Sequence, residues 1–178
     1  MSRNGHVIDA IRTLSSAILA NPAMAEGIVQ ARTRWTGGTR VTGKVREFDP
    51  ITIDEPPGLG GEDQGPTPVE LLLLALGSCQ EIVYAAYAEQ LGIQLDAIEI
   101  ELTGMLDLRG FLGLDPSVRP GFRQIEARVR LVSPEPESRL RELADLVERF
   151  CPAQDMLTNP VPITTTLAIE RPAQTSAA

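Results

Sequence analysis

The stretch PVELLLLALGSCQEIVYAAYAEQL, residues 68–91, decides the fold. At a rise of 1.5 Å per residue it makes a helix on the order of 35 Å long. It is apolar nearly all round until Gln80, which predicts a central, buried helix. Its start is marked by chemistry: Thr67 can cap it, Pro68 sits in its first turn, and Glu70 holds the third position, near the positive end of the helix dipole. Gly77 in its middle costs roughly 1 kcal/mol relative to Ala, which predicts that another backbone passes close by. Immediately upstream, DEPPGLGGEDQGPTP, residues 54–68, carries four prolines and four glycines and reads as a loop.

Working outward, residues 28–48 suggest two short strands turned at Gly37-Gly38, followed by a short strand Ile51 to Ile53. Downstream, residues 97–108 alternate Ile98, Ile100 and Leu102 against Glu99, Glu101 and Thr103. Residues 122–132 set Ile125, Ala127, Val129 and Leu131 against Glu126, Arg128 and Arg130. Both patterns predict strands of an antiparallel sheet with one wet face, joined by the irregular RGFLGLDPSVRPG. Residues 135–150 predict an amphipathic helix burying Leu140, Leu143, Leu146, Val147 and Phe150. A short turn or helix at 152–158 follows, and Ile163, Leu167 and Ile169 predict a last strand. Residues 7–20 predict an amphipathic helix stopped by Asn21-Pro22. The order of elements describes an α+β domain with helices on one side of the sheet. Three regions result: an N-terminal helical appendage at 1–29, the main domain at 30–170, and a disordered tail at 171–178.

The chain has 178 residues, 43% hydrophobic and 22% charged, as in an ordinary soluble globular protein of one domain. Aromatics are scarce at 4%, so aliphatic side chains must build the core. A net charge of -8, with no Lys/Arg block, repels phosphate backbones and anionic lipid, which argues against nucleic-acid and membrane partners. The charged opening MSRNGHVIDAIRTL does not read as a secretory signal, and the apolar run Leu71 to Gly77 is short for a bilayer. These features predict a cytoplasmic protein, where two cysteines are read as catalytic, metal-binding or buried before they are read as a staple.

Cys79 lies on the long helix among Leu72, Ala75, Leu76, Ile82, Val83 and Ala86; read alone, it fits a small apolar core residue. Cys151 precedes Pro152 and so reads as a cap residue, with free N–H groups and a helix dipole favouring its thiolate. His6 is the single histidine and is expected in solvent, so neither a zinc cluster nor a Cys-His dyad is supported, and no metal or other cofactor is expected. Glu99 and Glu101, with Asp54, Glu55, Glu62 and Asp63 in the loop, read as solvated charges. GLGG lacks the Lys-Ser/Thr and βαβ context of a phosphate cradle.

Three segments together resemble the OsmC/Ohr family: GGEDQGPTPVELLLLALGSC (60–79), FCPAQDML (150–157), and the strand pair between them. The resemblance covers roughly residues 30–170. It implies an OsmC-like fold with antiparallel sheets packed around a long central helix in an intertwined homodimer, the thiol sites at the subunit interface. In the family's peroxidases the first cysteine attacks an organic hydroperoxide to form a sulfenic acid. The second resolves it to a disulfide, which a dithiol reductant reopens. By resemblance Cys79 is peroxidatic and Cys151 resolving. The peroxidases hold the thiolate with an arginine from the N-terminal strands, oriented by a glutamate directly after the helix-starting Pro. Arg40 is the first choice for that arginine, with Arg34 and Arg46 as alternatives. Here Val69 occupies the glutamate position and Glu70 lies one residue later, about 100° round the helix; Glu70 is the candidate substitute. The implied function is a thiol-dependent organic hydroperoxide peroxidase. The alternative is a non-peroxidase, stress-related protein of the same fold that binds a small apolar ligand.

Overall fold

The computed structural model describes residues 5–171; the expected tail, apart from Arg171, lies outside them. Helix α1 (Gly5–Ala20) ends at Asn21, and a single 3-10 turn follows at Pro22–Ala25. Strands β1 (Ala31–Gly37), β2 (Arg40–Val45) and β3 (Ile51–Ile53) form one antiparallel sheet in that order. The turn falls at Gly37-Gly38 as the sequence predicts, because both residues take positive φ (123° and 55°), a conformation that glycine adopts without strain. Helix α2 spans Pro68–Leu91, β4 spans Ala97–Met105, and β5 spans Gln124–Val132. Between the two strands the irregular connection contains a single helical turn, α3 (Leu108–Phe111). Helix α4 (Glu137–Phe150) runs directly into α5 (Pro152–Thr158).

The β4–β5 pair is antiparallel as expected, with Ile98 opposite Leu131, Ile100 opposite Val129 and Leu102 opposite Ala127. On its wet face Arg130 pairs with Glu99 at 2.6 Å and Arg128 with Glu101 at 3.1 Å. The dry face meets α2 and α4 in a core of Tyr84, Ala88, Ile93, Leu143 and Val147, supported by Ile98, Ile100 and Leu131. Both ends of α2 are closed. Thr67 and Glu70 form a reciprocal capping box at its start, and Gly92 at φ 64° ends it, while Arg139 donates to the Leu91 carbonyl at 2.9 Å.

Four expectations need correction. Residues 159–171 form no strand: they pair with neither sheet, and Ile163, Leu167 and Ile169 are 88%, 79% and 81% exposed. Helix α2 is buried on one face only: Leu76, Gln80, Tyr84 and Ala88 are covered, whereas Leu74 and Ile82 are more than 60% exposed. The neighbour that crowds Gly77 is the Leu102 side chain, not a backbone; a Cβ there would lie 3.0 Å from Leu102 Cδ1. Finally, α2 as a whole is long and apolar enough to suit a membrane span, which the shorter run Leu71 to Gly77 conceals. Its contacts with α4, β4 and α5 are those of the core helix of a folded domain.

Candidate thiol site

Packing of α2 against α4 and α5 brings together two cysteines far apart in sequence. Cys79 projects from the middle of α2 and is half-buried; Cys151 is wholly buried at the junction of α4 and α5, and both are free thiols. The two thiols lie near enough to influence each other's ionisation. The backbone at Cys151 serves both helices: its N–H donates to Val147 O at 2.9 Å and its carbonyl accepts from Asp155 N at 3.0 Å. Cys151 is thus the N-cap residue of α5, as the sequence predicts, with Pro152 in the first turn.

Its electrostatics differ from the sequence expectation. Burial pushes the Cys151 thiol up, the Gln154 amide opposes this, hydrogen bonding and charge at Cys79 push it up further, and the Ala153 amide again opposes. The net shift is upward, because removing a thiolate from water outweighs two amide dipoles that form no close capping hydrogen bond. Cys151 is held as a neutral thiol beside a more accessible partner.

A cavity of about 530 Å³ opens between α2, β5, α4 and α5; neither cysteine lines it, but Gln80 and Gln154 near them do. Its walls include Leu72, Leu76, Phe122, Ile125 and Leu157, with Arg119 and Arg123 among its polar members. Gln80 and Gln154, neighbours of the two cysteines, line it and are joined by a hydrogen bond from Gln80 Nε2 to Gln154 Oε1 at 2.7 Å. Gln80 Oε1 is buried without a partner among the described residues. The sequence reading overlooked this glutamine pair, since a Gln on a helix carries no signal until its neighbours are known.

The remaining candidates sit elsewhere. Arg40, at the start of β2, is ion-paired to Glu62 of the loop before α2. Glu70 is committed to the helix cap: its Oε2 accepts from Thr67 N at 2.8 Å and from Thr67 Oγ1 at 3.0 Å. No hydrogen bond joins Arg40 or Glu70 to each other or to Cys79 among the described residues. Arg34 is exposed on β1, and Arg46, at φ 49°, stacks its guanidinium 4.5 Å over the Phe48 ring. The sheet β1–β3 makes no more than marginal contact with the helices, so one chain alone does not pack Arg40 against Cys79. His6 is exposed.

Asp54 also departs from its expected role as a solvated loop charge. It is 2% exposed and accepts from Thr39 Oγ1 at 2.7 Å and from the amides of Glu55, Glu62 and Gln64 at 2.9, 3.1 and 3.3 Å. The Thr39 hydroxyl most of all, aided by these amides, lowers its pKa to about 2 against the cost of burial. The group therefore stays ionised throughout the range in which thiols titrate.

A half-buried cysteine near a buried second cysteine, on an α+β scaffold with a long central helix, defines a two-thiol domain of the OsmC type. The chain belongs to the OsmC-like protein family, whose model matches residues 61–166. Solved structures share the fold. An OsmC-like protein of Mycoplasma pneumoniae superposes with a TM-score of 0.65 at 22% identity, covering 76% of this chain and 90% of its own. The organic hydroperoxide resistance protein OsmC of Legionella pneumophila gives 0.58 at 15% identity, covering 74% of this chain and 91% of its own. The organic hydroperoxide resistance protein OhrB of Bacillus subtilis gives 0.50 at 19% identity, covering 75% and 93%. None of the curated proteins compared with the chain matches its sequence significantly.

Proposed function

We propose that the protein is a soluble, cytoplasmic thiol peroxidase that reduces organic hydroperoxides. The observation that carries this reading is the pairing of an accessible Cys79 with a buried, neutral Cys151. The Cys79 thiolate attacks one peroxide oxygen; an S–O bond forms, the O–O bond breaks, and the alkoxide leaves as an alcohol after taking a proton. The Cys151 sulfur then attacks the sulfenic acid, forming the disulfide and releasing water, with its proton going to the departing hydroxide. A dithiol reduces that disulfide by two exchange steps and is itself oxidised. The cavity at Gln80 and Gln154, walled in large part by apolar side chains such as Leu72, Leu76, Phe122 and Ile125, suits organic hydroperoxides better than hydrogen peroxide. Reduced protein mixed with cumene hydroperoxide is expected to lose both thiols far faster than free cysteine does. A rate matching free cysteine would end this reading.

The protein also acts, in this proposal, as a homodimer. Three surfaces support it: the uncovered face of α2 with Leu74 and Ile82, the loosely attached sheet β1–β3, and the exposed segment with Ile163, Leu167 and Ile169. A second copy would cover such apolar area, which solvated monomers seldom leave contiguous. It would also let Arg40 of one chain approach Cys79 of the other. Sedimentation equilibrium of the reduced protein is expected to give twice the chain mass; a monomer at micromolar concentration contradicts it.

One observation favours the second reading, a non-peroxidase OsmC-like protein binding a small apolar ligand. Val69 stands where the family's peroxidases carry their glutamate, and the 530 Å³ cavity exists irrespective of thiol chemistry. Retention of an apolar ligand by a protein whose thiols react no faster than free cysteine would select that reading.

A further inference from the structure

The loop between β3 and α2 is not a passive linker. Asp54 clamps both of its sides. Its Oδ1 takes the hydroxyl of Thr39, the residue immediately before Arg40, while its Oδ2 takes the backbone N–H of Glu62, at 2.7 and 3.1 Å. One buried carboxylate thus ties the backbone of Glu62 to the side chain of the residue before Arg40, beneath the Arg40–Glu62 ion pair. The loop is pressed onto this frame. A Cβ at Gly61 would collide with the Glu55 carbonyl and lie 2.8 Å from Thr39 Oγ1, and one at Gly65 would collide with the Thr52 carbonyl. An exposed ion pair contributes little when both side chains must be immobilised for it. Here the backbone on both sides is already ordered, so less entropy is lost. Arg40 is left with Nη2 on Glu62 and with a buried Nε that donates to nothing among the described residues.

We propose that Glu62, positioned by the Asp54 clamp, is the carboxylate that orients Arg40 in this protein, in place of a glutamate on the first turn of α2. Val69 cannot supply a carboxylate, and Glu70 spends its own on the Thr67 cap. Glu62 holds Nη2 of the guanidinium, and the exposed part of the Arg40 side chain remains for an acceptor that arrives with the reaction: the Cys79 thiolate or a peroxide oxygen. Glu62 and Asp54 are positioning residues, acting through Arg40. The inference rests on the peroxidase reading and on Arg40 serving Cys79.

The test measures kcat and KM for cumene hydroperoxide, with dithiothreitol as reductant, across the pH range of thiol ionisation, on the full chain. Glu62→Gln is expected to lower kcat/KM about tenfold and to move the acid limb of the profile to higher pH, with Glu62→Asp recovering most of the loss. Combining Glu62→Gln with Arg40→Ala should be no worse than Arg40→Ala alone, because the glutamate acts only through the arginine. Asp54→Asn should shift the profile in the same direction. Glu62 is largely exposed, so the Gln variant remains informative even if Asp54→Asn does not fold. A wild-type profile for Glu62→Gln alongside an impaired Arg40→Ala overturns the inference while leaving the peroxidase reading intact. So does a Glu70→Ala variant whose profile shifts as far as that of Glu62→Gln. An unimpaired Arg40→Ala removes the inference together with the role of Arg40, and a wild type inert to hydroperoxide removes the peroxidase reading beneath both.

Discussion

Cys79→Ser is expected to abolish hydroperoxide-dependent turnover, a fall of at least about a thousandfold, because a serine hydroxyl is not ionised where a thiolate is. Cys151→Ser should behave differently. Its first oxidation at Cys79 should remain fast, since the attacking sulfur is intact. The sulfenic acid, deprived of its neighbouring thiol, should then persist or oxidise on to sulfinic acid under excess peroxide. Mass spectrometry of the two variants after one equivalent and after many separates these outcomes. Equal loss of the first step in both variants would show that the cysteines do not divide the work as proposed. The asymmetry follows from the site: Cys79 is the accessible sulfur, whereas Cys151 is fully buried and held neutral by that burial.

Leu143→Ala should cost about 3 kcal/mol of stability, within the range for a buried leucine whose cavity cannot fully collapse. Leu143 is 0% exposed and lies on α4, in the cluster with Tyr84, Ala88, Ile93 and Val147. Its neighbours come from α2, from the turn after it and from α4 itself, so no single side chain can move into the void without leaving another. The urea midpoint is expected to fall with little change in slope, since the folded and unfolded surfaces hardly alter. A loss below about 1 kcal/mol would mean that the core relaxes far more than its packing implies. There is a functional consequence as well. Helix α4 ends at Cys151, and Val147, one turn earlier, accepts the Cys151 N–H. Loosening α4 should therefore slow disulfide closure more than the first oxidation at Cys79, which belongs to α2.

Much of the architecture was legible in residue order. The limits of α2 follow from Thr67, Pro68, Glu70 and Gly92, each acting on the backbone within four residues of itself. The β4–β5 pair follows from strict alternation, and the hairpin turn from two adjacent glycines. The same locality explains why Cys151 could be recognised as a cap residue while its pKa direction could not. The cap depends on Pro152 next to it, but the burial that governs ionisation comes from α2 packing over the junction.

What the amino-acid order determined by itself was therefore most of the helices and strands and the two segments on which the cysteines lie, since helical period, strand alternation and capping are short-range properties of the chain. Only the tertiary structure decided which charges are partners and which apolar surfaces stay open. Asp54 reads as a wet loop residue until Thr39, fifteen positions earlier, and the amides of Glu62 and Gln64, eight and ten later, converge on it. The Arg40–Glu62 pair spans twenty-two positions, and the expected strand at Ile163 to Ile169 pairs with neither sheet of its own chain. A hydrogen bond or a sheet edge is satisfied by whatever lies nearby in space, and for these residues that is set by the packing of distant segments.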